Sequence, residues 1–403
     1  MDQTHNLGSE MYSLMERLFP ICRSLTGNGN RQTLNILKEY IPIEIKEVPS
    51  GTKVFDWEVP DEWNIKDAFI KTPDGKKVVD FKNNNLHLVG YSEPFEGKIK
   101  LDELKNHIYT LPDQPDLIPY VTSYYQRRWG FCLSENQFKT LKNGIYEIQI
   151  DSTLEPGNLT YADLIVKGKS KKEILISTYI CHPSLANNEL SGPVISTFLA
   201  KYLLENNDNY YSYRFVFAPE TIGTITYLSK HIEELKRNVI AGYVLACIGD
   251  SGSFSYLQSR KENTLVDRVT MHVLKHTEKE YELYDYLASG SDERQYCSPG
   301  IDLPVGSLMR TKYGEYPEYH TSLDNFSLVT ERGIRGGYKV AKTAIELLLN
   351  KIIPKNNVLC EPQMGKRNLR PSLTIKDKEA LSPFSFSKNL TNFLQYADGK
   401  NDL

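Results

Sequence analysis

Four polar residues stand just past runs of β-type sequence. His182 follows the apolar run 174–180, and Glu220 follows 214–218. Asp250 follows 239–248, and His320 closes a long loop after 303–309. Parallel strands end on one edge of their sheet, so groups placed there converge in space. Two imidazoles with one or two oxygen donors and an open position make a catalytic zinc site. A glutamate beside it can act as general base on the attacking water. His182 and His320 are therefore candidate metal ligands, and Glu220 is the candidate base. Taken singly, each has a plainer reading. A loop histidine can simply be satisfied by its neighbours, and Asp250 can cap its own backbone in a turn. The flanking Gly249 and Gly252 would equally let the backbone approach a ligand closely. The signal is the arrangement of four.

The elements that must carry these residues alternate. After Tyr161 the sequence reads as strand, loop and helix in repetition, with helices over 192–205, 222–235, 264–276 and 334–349. That rhythm predicts an α/β fold with a mixed, mostly parallel sheet and helices on both faces. A helical pattern over 9–24, ended or kinked at Pro20, a helix over 31–40 and a strand over 43–48 come first. From 51 to 144 the texture changes to short β-type runs, at 54–57, 68–70, 86–90 and 131–133, separated by turn residues. The expected organisation is an α/β domain over 1–50 and 145–352, an inserted small β-rich domain over 51–144, and a C-terminal segment over 353–403. Within the insert Trp63, Arg127, Arg128 and Trp129 read either as a recognition surface or as structural pairs.

Composition excludes several classes. The 403 residues are 40% apolar and 25% charged, with a net charge of −3. An acidic balance gives no electrostatic reason to expect nucleic acid or an anionic membrane as partner. No window carries the roughly 18 apolar residues of a membrane span. The start of the chain lacks a basic region followed by an apolar core, so no signal peptide is expected. Six scattered cysteines without a CxxC pair point to a cytoplasmic protein with reduced thiols. The 26 tyrosines, clustered at Tyr124-Tyr125 and Tyr210-Tyr211, suit sugar or peptide grooves but equally suit ordinary amphipathic packing.

The site residues also follow a familiar order. His182, Asn188-Glu189-Leu190-Ser191-Gly192, Glu220 with Gly223, Ser291-Asp292, and Tyr319-His320-Thr321-Ser322-Leu323-Asp324 resemble the zinc aminopeptidases of the bacterial leucyl-aminopeptidase type. The blocks CHPS, PETIG, SGSDERQY and EYHTSLDNF more closely resemble a bacterial family of aminopeptidase-like proteins associated with polysaccharide biosynthesis. That likeness runs from Leu14 to Leu403. It implies a zinc-aminopeptidase-like fold and a C-terminal segment that is the start of a winged-helix domain, truncated at Leu403.

The resemblance implies roles for His182 and His320 as metal ligands, Glu220 as general base, and Asp292 in a loop flanking the site. It also marks departures. Asn188 stands where the aminopeptidases have a bridging aspartate, and Thr221 where they have a second glutamate. The next aspartate falls near Ala246, with Asp250 four residues on. One zinc ion or none is therefore expected, with its oxygen donor drawn from Asn188, Glu189 or Asp250. Asp292, Glu293, Arg294 and Arg310 are the candidate substrate-binding residues, the guanidinium forks suiting an anion. Each arginine could instead pair with Glu293 or Glu315.

The expected function is zinc-dependent hydrolysis of an amide bond, in a small peptide or an N-acylated amino sugar, within polysaccharide biosynthesis. The alternative is a catalytically lapsed relative that binds such a ligand. Self-association is left open. Nucleic-acid regulation is the weakest reading.

Overall fold

The computed structural model describes residues 3–206, 208–349, 355–360, 362–367 and 383–399. By contacts the chain divides into Met1–Ile345 and Glu346–Leu403. The first unit is built on an eight-stranded sheet. Its strands in chain order are β1 (Glu44–Pro49), β2 (Asn158–Val166), β3 (Glu173–Tyr179), β4 (Ser212–Ala218), β5 (Val239–Leu245), β6 (Phe254–Leu257), β7 (Tyr281–Tyr284) and β8 (Val305–Met309). Across the sheet they run β1-β2-β4-β3-β5-β8-β6-β7. The central four, β4-β3-β5-β8, are mutually parallel. β1, β2 and β6 enter antiparallel to their inner neighbours, so the sheet is mixed.

The central strands are apolar without alternation because both faces are covered. Every residue of β3, β4 and β8 is buried. The covering helices are α1 (Gln3–Leu18), α2 (Asn28–Lys38), α3 (Ser191–Glu205), α4 (Ile222–Asn238), α5 (Leu265–Thr277) and α6 (Glu331–Leu349). α3 packs on β3 and β5, α4 on β2 and β4, and α5 on β5 and β8. α5 opens with a capping box, in which Thr264 and Asp267 satisfy each other's backbone N–H groups.

A second, antiparallel sheet has the order 77–80, 62–71, 145–155, 95–100. Its core gathers Trp63, Ile70, Phe131, Tyr146, Ile148 and Ile150. The run 86–90, expected as a strand, is instead a 3-10 turn, Asn85–His87, followed by extended chain. Asn84 Oδ1 accepts from Leu86 N–H and caps that turn, a local bond that competes with strand formation. Strands β2, β6 and β7 were not in the sequence reading. Trp63, Arg127, Arg128 and Trp129 take structural partners. The Trp63 indole donates to Ser92 O, and Trp129 stacks between His107 and Phe95. Arg127 pairs with Asp61, and Arg128 donates to Tyr109 Oη and Thr122 O.

Within the second unit, the helix Pro383–Tyr396 and a bridge between Lys355 and Asp398 are described. Residues 368–382 and 400–403 of the expected C-terminal segment lie outside the described residues. No helix among the described residues is long and apolar enough to cross a membrane.

A bidentate ion pair joins α2 to the second sheet. Arg31 donates to both oxygens of Glu62 at 2.7 Å, and both side chains are largely buried. That fork holds the Glu62 carboxyl down to about 2. A folded-state pKa below the unfolded value contributes stability above about pH 4.5, and that stability is lost as pH falls toward 2. Glu62→Gln is expected to lower stability by about 2 kcal/mol at neutral pH, after allowance for solvent screening. Urea melts across that window should show the difference shrinking with acid. A difference that does not change with pH would remove the ion pair as its cause.

Candidate metal and catalytic site

β3 delivers Cys181 and His182 to the carboxyl edge of the sheet. Ala186–Leu190 then winds as a π-helical turn into α3, all of it buried. Asp324 holds the start of this turn, accepting from Asn187 N–H at 2.5 Å and Asn188 N–H at 2.9 Å. Burial raises the Asp324 carboxyl to about 6 even with these donors. The turn presents Glu189 to the Nδ1 side of His182, with Oε2 at 2.9 Å. On the far side of Glu189 lies Arg23, 3.5 Å from Oε1. Arg23 and Glu189 have wholly buried side chains, and Arg23 Nε also donates to His182 O.

A carboxylate accepting at Nδ1 puts the His182 proton there and leaves Nε2 as an acceptor. Nε2 faces Glu220 Oε2 across 3.7 Å. Burial pulls the His182 pKa down, but the hydrogen bond that His182 donates to Glu189 and the charges of Glu189 and Glu220 outweigh it and raise it. Glu220 is raised chiefly by burial, against the pull of His182 and of Ser291, whose Oγ donates to Oε1 at 2.6 Å.

Glu220 is aimed by a strained turn. Ile222 N–H donates to Glu220 O at 2.8 Å, and the residue between, Thr221, has φ 62° and ψ −78°. That is a γ-turn of the rare, strained kind, on a β-branched residue. Asp292 Oδ1 accepts from Thr221 N–H at 2.8 Å and secures it. Asp292 is completely buried, with Oδ2 unpartnered. Burial and then the Glu220 charge push its carboxyl well up.

His320 arrives on the loop after β8, itself in a left-handed conformation with φ 54°. Its ring centroid is 5.4 Å from that of His182, and Tyr120 sits 5.0 Å from both rings. Tyr120 belongs to a segment that clamps the loop. Its N–H donates to His320 O at 2.8 Å, and Ser322 N–H donates to Ile118 O at 2.9 Å. Burial and then the neighbouring His182 lower the His320 pKa to about 3, so its imidazole is neutral. His320 Nε2 is buried without a hydrogen-bond partner.

Asn188 donates to Tyr179 Oη, and its Oδ1 is likewise buried and unpartnered. Unpaired buried acceptors are costly unless something fills them. His320 Nε2 and Asn188 Oδ1 are thus acceptors left open in this part of the fold, and imidazole nitrogens and an amide oxygen are donor types that zinc accepts. Among the described residues, the His, Cys, Asp and Glu donor atoms that gather within 4.8 Å of one another are those of Cys181, His182 and Glu220, and His320 stands outside that group. Cys181 Sγ lies within 4.8 Å of His182 and Glu220 donor atoms. It accepts Glu220 N–H at 3.2 Å and touches the Nδ1 side of His182, the side away from Glu220. Burial and nearby carboxylates keep it a neutral thiol. We read it as holding the loop and not as a ligand.

The remaining expected residues lie elsewhere. The Asp250 carboxylate accepts from Asn187 Nδ2, Gly252 N–H and Thr311, and no hydrogen bond joins it to His182, Glu220 or His320 among the described residues. Its turn reading applies, because satisfied oxygens leave none for a metal. The room beside Gly249 and Gly252 is taken by Ser191 and Thr311. Glu189 faces the wrong edge of His182 to be the oxygen ligand. The buried Glu293 accepts from Gly290 N–H, Ser291 N–H, Ser307 Oγ and Tyr313 Oη, which anchors the loop before Asp292. Arg294 is exposed. Arg310 stacks on Phe254 and donates to Gly252 O, supporting the Asp250 turn. Neither arginine pairs with Glu293 or Glu315. Arg23, Tyr120 and Asn187 escaped the sequence reading, since nothing local distinguishes them.

A family described as domain of unknown function DUF4910 matches residues 12–351, and a winged helix-turn-helix family matches 352–403. A curated protein of Clostridium acetobutylicum is 47% identical over 397 residues, 98% of this chain and 90% of that protein. It is named provisionally as a polysaccharide biosynthesis protein with an aminopeptidase-like domain. A crystal structure from the same organism, provisionally named a peptidase, is similar with TM-score 0.90 and 46% identity, over 99% of this chain and 90% of that one. The zinc aminopeptidase BSAP of Bacillus subtilis shares the fold, with TM-score 0.63 and 11% identity over 86% and 95% of the two chains.

In metal-free protein, the His320 ring signals should not titrate until pH falls to about 3. Histidine NMR in a His320→Gln comparison would identify them. A midpoint near the ordinary histidine value would mean that His320 is not buried as described.

Proposed function

This chain belongs to the DUF4910 family, and from its strand-end site we propose that it is a metal-dependent hydrolase of an amide bond, acting on a small peptide or an N-acylated amino sugar in polysaccharide biosynthesis. One observation carries the reading. Two acceptors, His182 Nε2 and Glu220 Oε2, face each other at 3.7 Å, and the His320 ring, whose Nε2 is unpartnered, has its centroid 5.4 Å from that of His182. His182, His320 and Asn188 would hold one zinc ion, with Glu220 at its edge. When bound, that ion would polarise the scissile carbonyl and the attacking water. Glu189 keeps the His182 tautomer fixed, and Ser291 keeps Glu220 turned inward. Glu220 takes the proton of the attacking water and delivers it to the leaving amine. Its raised pKa suits both halves of that transfer. Tyr120 shields the two imidazoles from bulk water. The name of the Clostridium relative supports the pathway. Six free cysteines support a cytoplasmic setting.

The neutral Asn188 and the threonine at 221 favour a second reading, a binding protein that has lost catalysis. Glu220→Gln separates the two. It is expected to keep fold and zinc content, about one ion or none per chain and not two, while losing at least about a hundredfold in turnover. Activity of the natural chain should fall with acid at a pH above the usual carboxylate range, because Glu220 must be ionised to act and burial raises it. Loss of zinc in Glu220→Gln would make Glu220 a ligand. Unchanged zinc and unchanged turnover would favour the binding protein. Asn188→Asp should tighten zinc, since it offers the anionic oxygen that zinc prefers. Equal or weaker affinity by competition titration would remove Asn188 from the ligand set.

A further inference from the structure

We propose that a second cleft, which touches the loops carrying His182 and His320 at Ser184, Ser322 and Asn325 but is not lined by His182, Glu220 or His320, binds an acidic saccharide. The cleft encloses about 840 Å³ between α1, α2 and the second sheet. That lies within the range of small-molecule sites, roughly 300–1,000 Å³. Its wall carries three consecutive carboxamides, Asn83, Asn84 and Asn85, with Phe81 and Lys66. The Asn85 side chain is nine-tenths buried, and its Oδ1 has no partner. Asn84 Oδ1 accepts from Leu86 N–H, which leaves its Nδ2 to the cleft. Asn83 is exposed, and its N–H donates to Asp80 O, which leaves its side chain without a hydrogen bond among the described residues.

Carboxamides donate and accept at adjacent atoms, as sugar hydroxyl pairs do. A half-exposed Phe81, backed by the buried Trp63, offers an apolar face for the C–H side of a pyranose ring. The charge of the lining selects among sugars. It contains no carboxylate. Two of its cations are already paired, Arg17 with Glu39 and Lys82 with Asp67. Lys66 has no ion partner among the described residues. α2 begins at the cleft, with Asn28 and Gly29 in the wall, so its positive end adds to Lys66. A carboxylate on the sugar meets both, whereas a cationic sugar would meet repulsion.

Calorimetric titration of the full chain with trigalacturonate tests this, with maltotriose as the neutral counterpart. Trigalacturonate is expected to bind with Kd below about 1 mM. Maltotriose should bind roughly tenfold more weakly, for want of the charged hydrogen bond. Lys66→Ala should weaken trigalacturonate roughly tenfold, and Asn83→Ala severalfold. Both are exposed positions, and their thermal melts should match the natural chain. His320→Ala should bind trigalacturonate as the natural chain does, whatever becomes of hydrolysis. The proposal is overturned by any of four results: no binding at millimolar trigalacturonate, equal affinity for maltotriose, affinity unmoved by both cleft substitutions, or loss of binding in His320→Ala.

Discussion

The site depends on one buried carboxylate. Glu189 lies between the Arg23 guanidinium and His182 Nδ1, with both ionic side chains wholly removed from water. A lone buried carboxylate would be prohibitively expensive, and Arg23 makes it tolerable. Arg23 also donates to Leu18 O and His182 O, which ties the end of α1 to the loop after β3. Removing either partner would leave the other charge buried alone, which typically costs about 3–5 kcal/mol. The pair is better understood as fixing a geometry than as adding stability. It decides which imidazole nitrogen carries the proton, and so which edge of His182 is free for chemistry.

Around that fixed edge the backbone holds strain. Thr221 and His320 both sit at positive φ, and each is secured by a bond from elsewhere. Asp292 receives the Thr221 N–H, and the Tyr120 N–H reaches His320 O. Residues in such conformations persist only where their surroundings overdetermine them. The two second-layer carboxylates, Asp292 and Asp324, have the same task of accepting backbone N–H groups so that a turn holds its shape. A segment near 114–122 closes the arrangement, because it pairs with the loop that carries His320.

The alternation of apolar runs and helical patterns made the central strands and covering helices legible, since β3, β4, β5 and β8 are buried on both faces. β6 and β7 were illegible because they are four-residue strands with turn-rich flanks, β7 at the edge of the sheet and β6 next to it. The 86–90 run misled because its apolar residues pack inward from a turn. At the site, strand-end placement was enough to bring His182 and Glu220 within reach of each other. It could not distinguish Asp250, which also ends a strand but turns its oxygens to Asn187 and Thr311. Nor could it find Arg23, which lies 166 residues before Glu189 in sequence and meets it only in the fold. A tertiary ion pair leaves no periodicity to read.

Charge sets how many cations the site can carry. Of the acidic groups near it, Glu189 is neutralised by Arg23, Asp324 is held by backbone amides, and Glu293 has every oxygen bonded. Asp292 is pushed toward its neutral form by burial and by Glu220. Glu220 alone faces the free edge of His182 as a carboxylate. Around that edge stand one carboxylate, two imidazoles and a carboxamide, a set with a single negative charge. Two dications close together in a dry site repel strongly unless an anion lies between them. Asn188 and Thr221 therefore act together. Both side chains are neutral, so the negative charge at that edge rests on Glu220 alone.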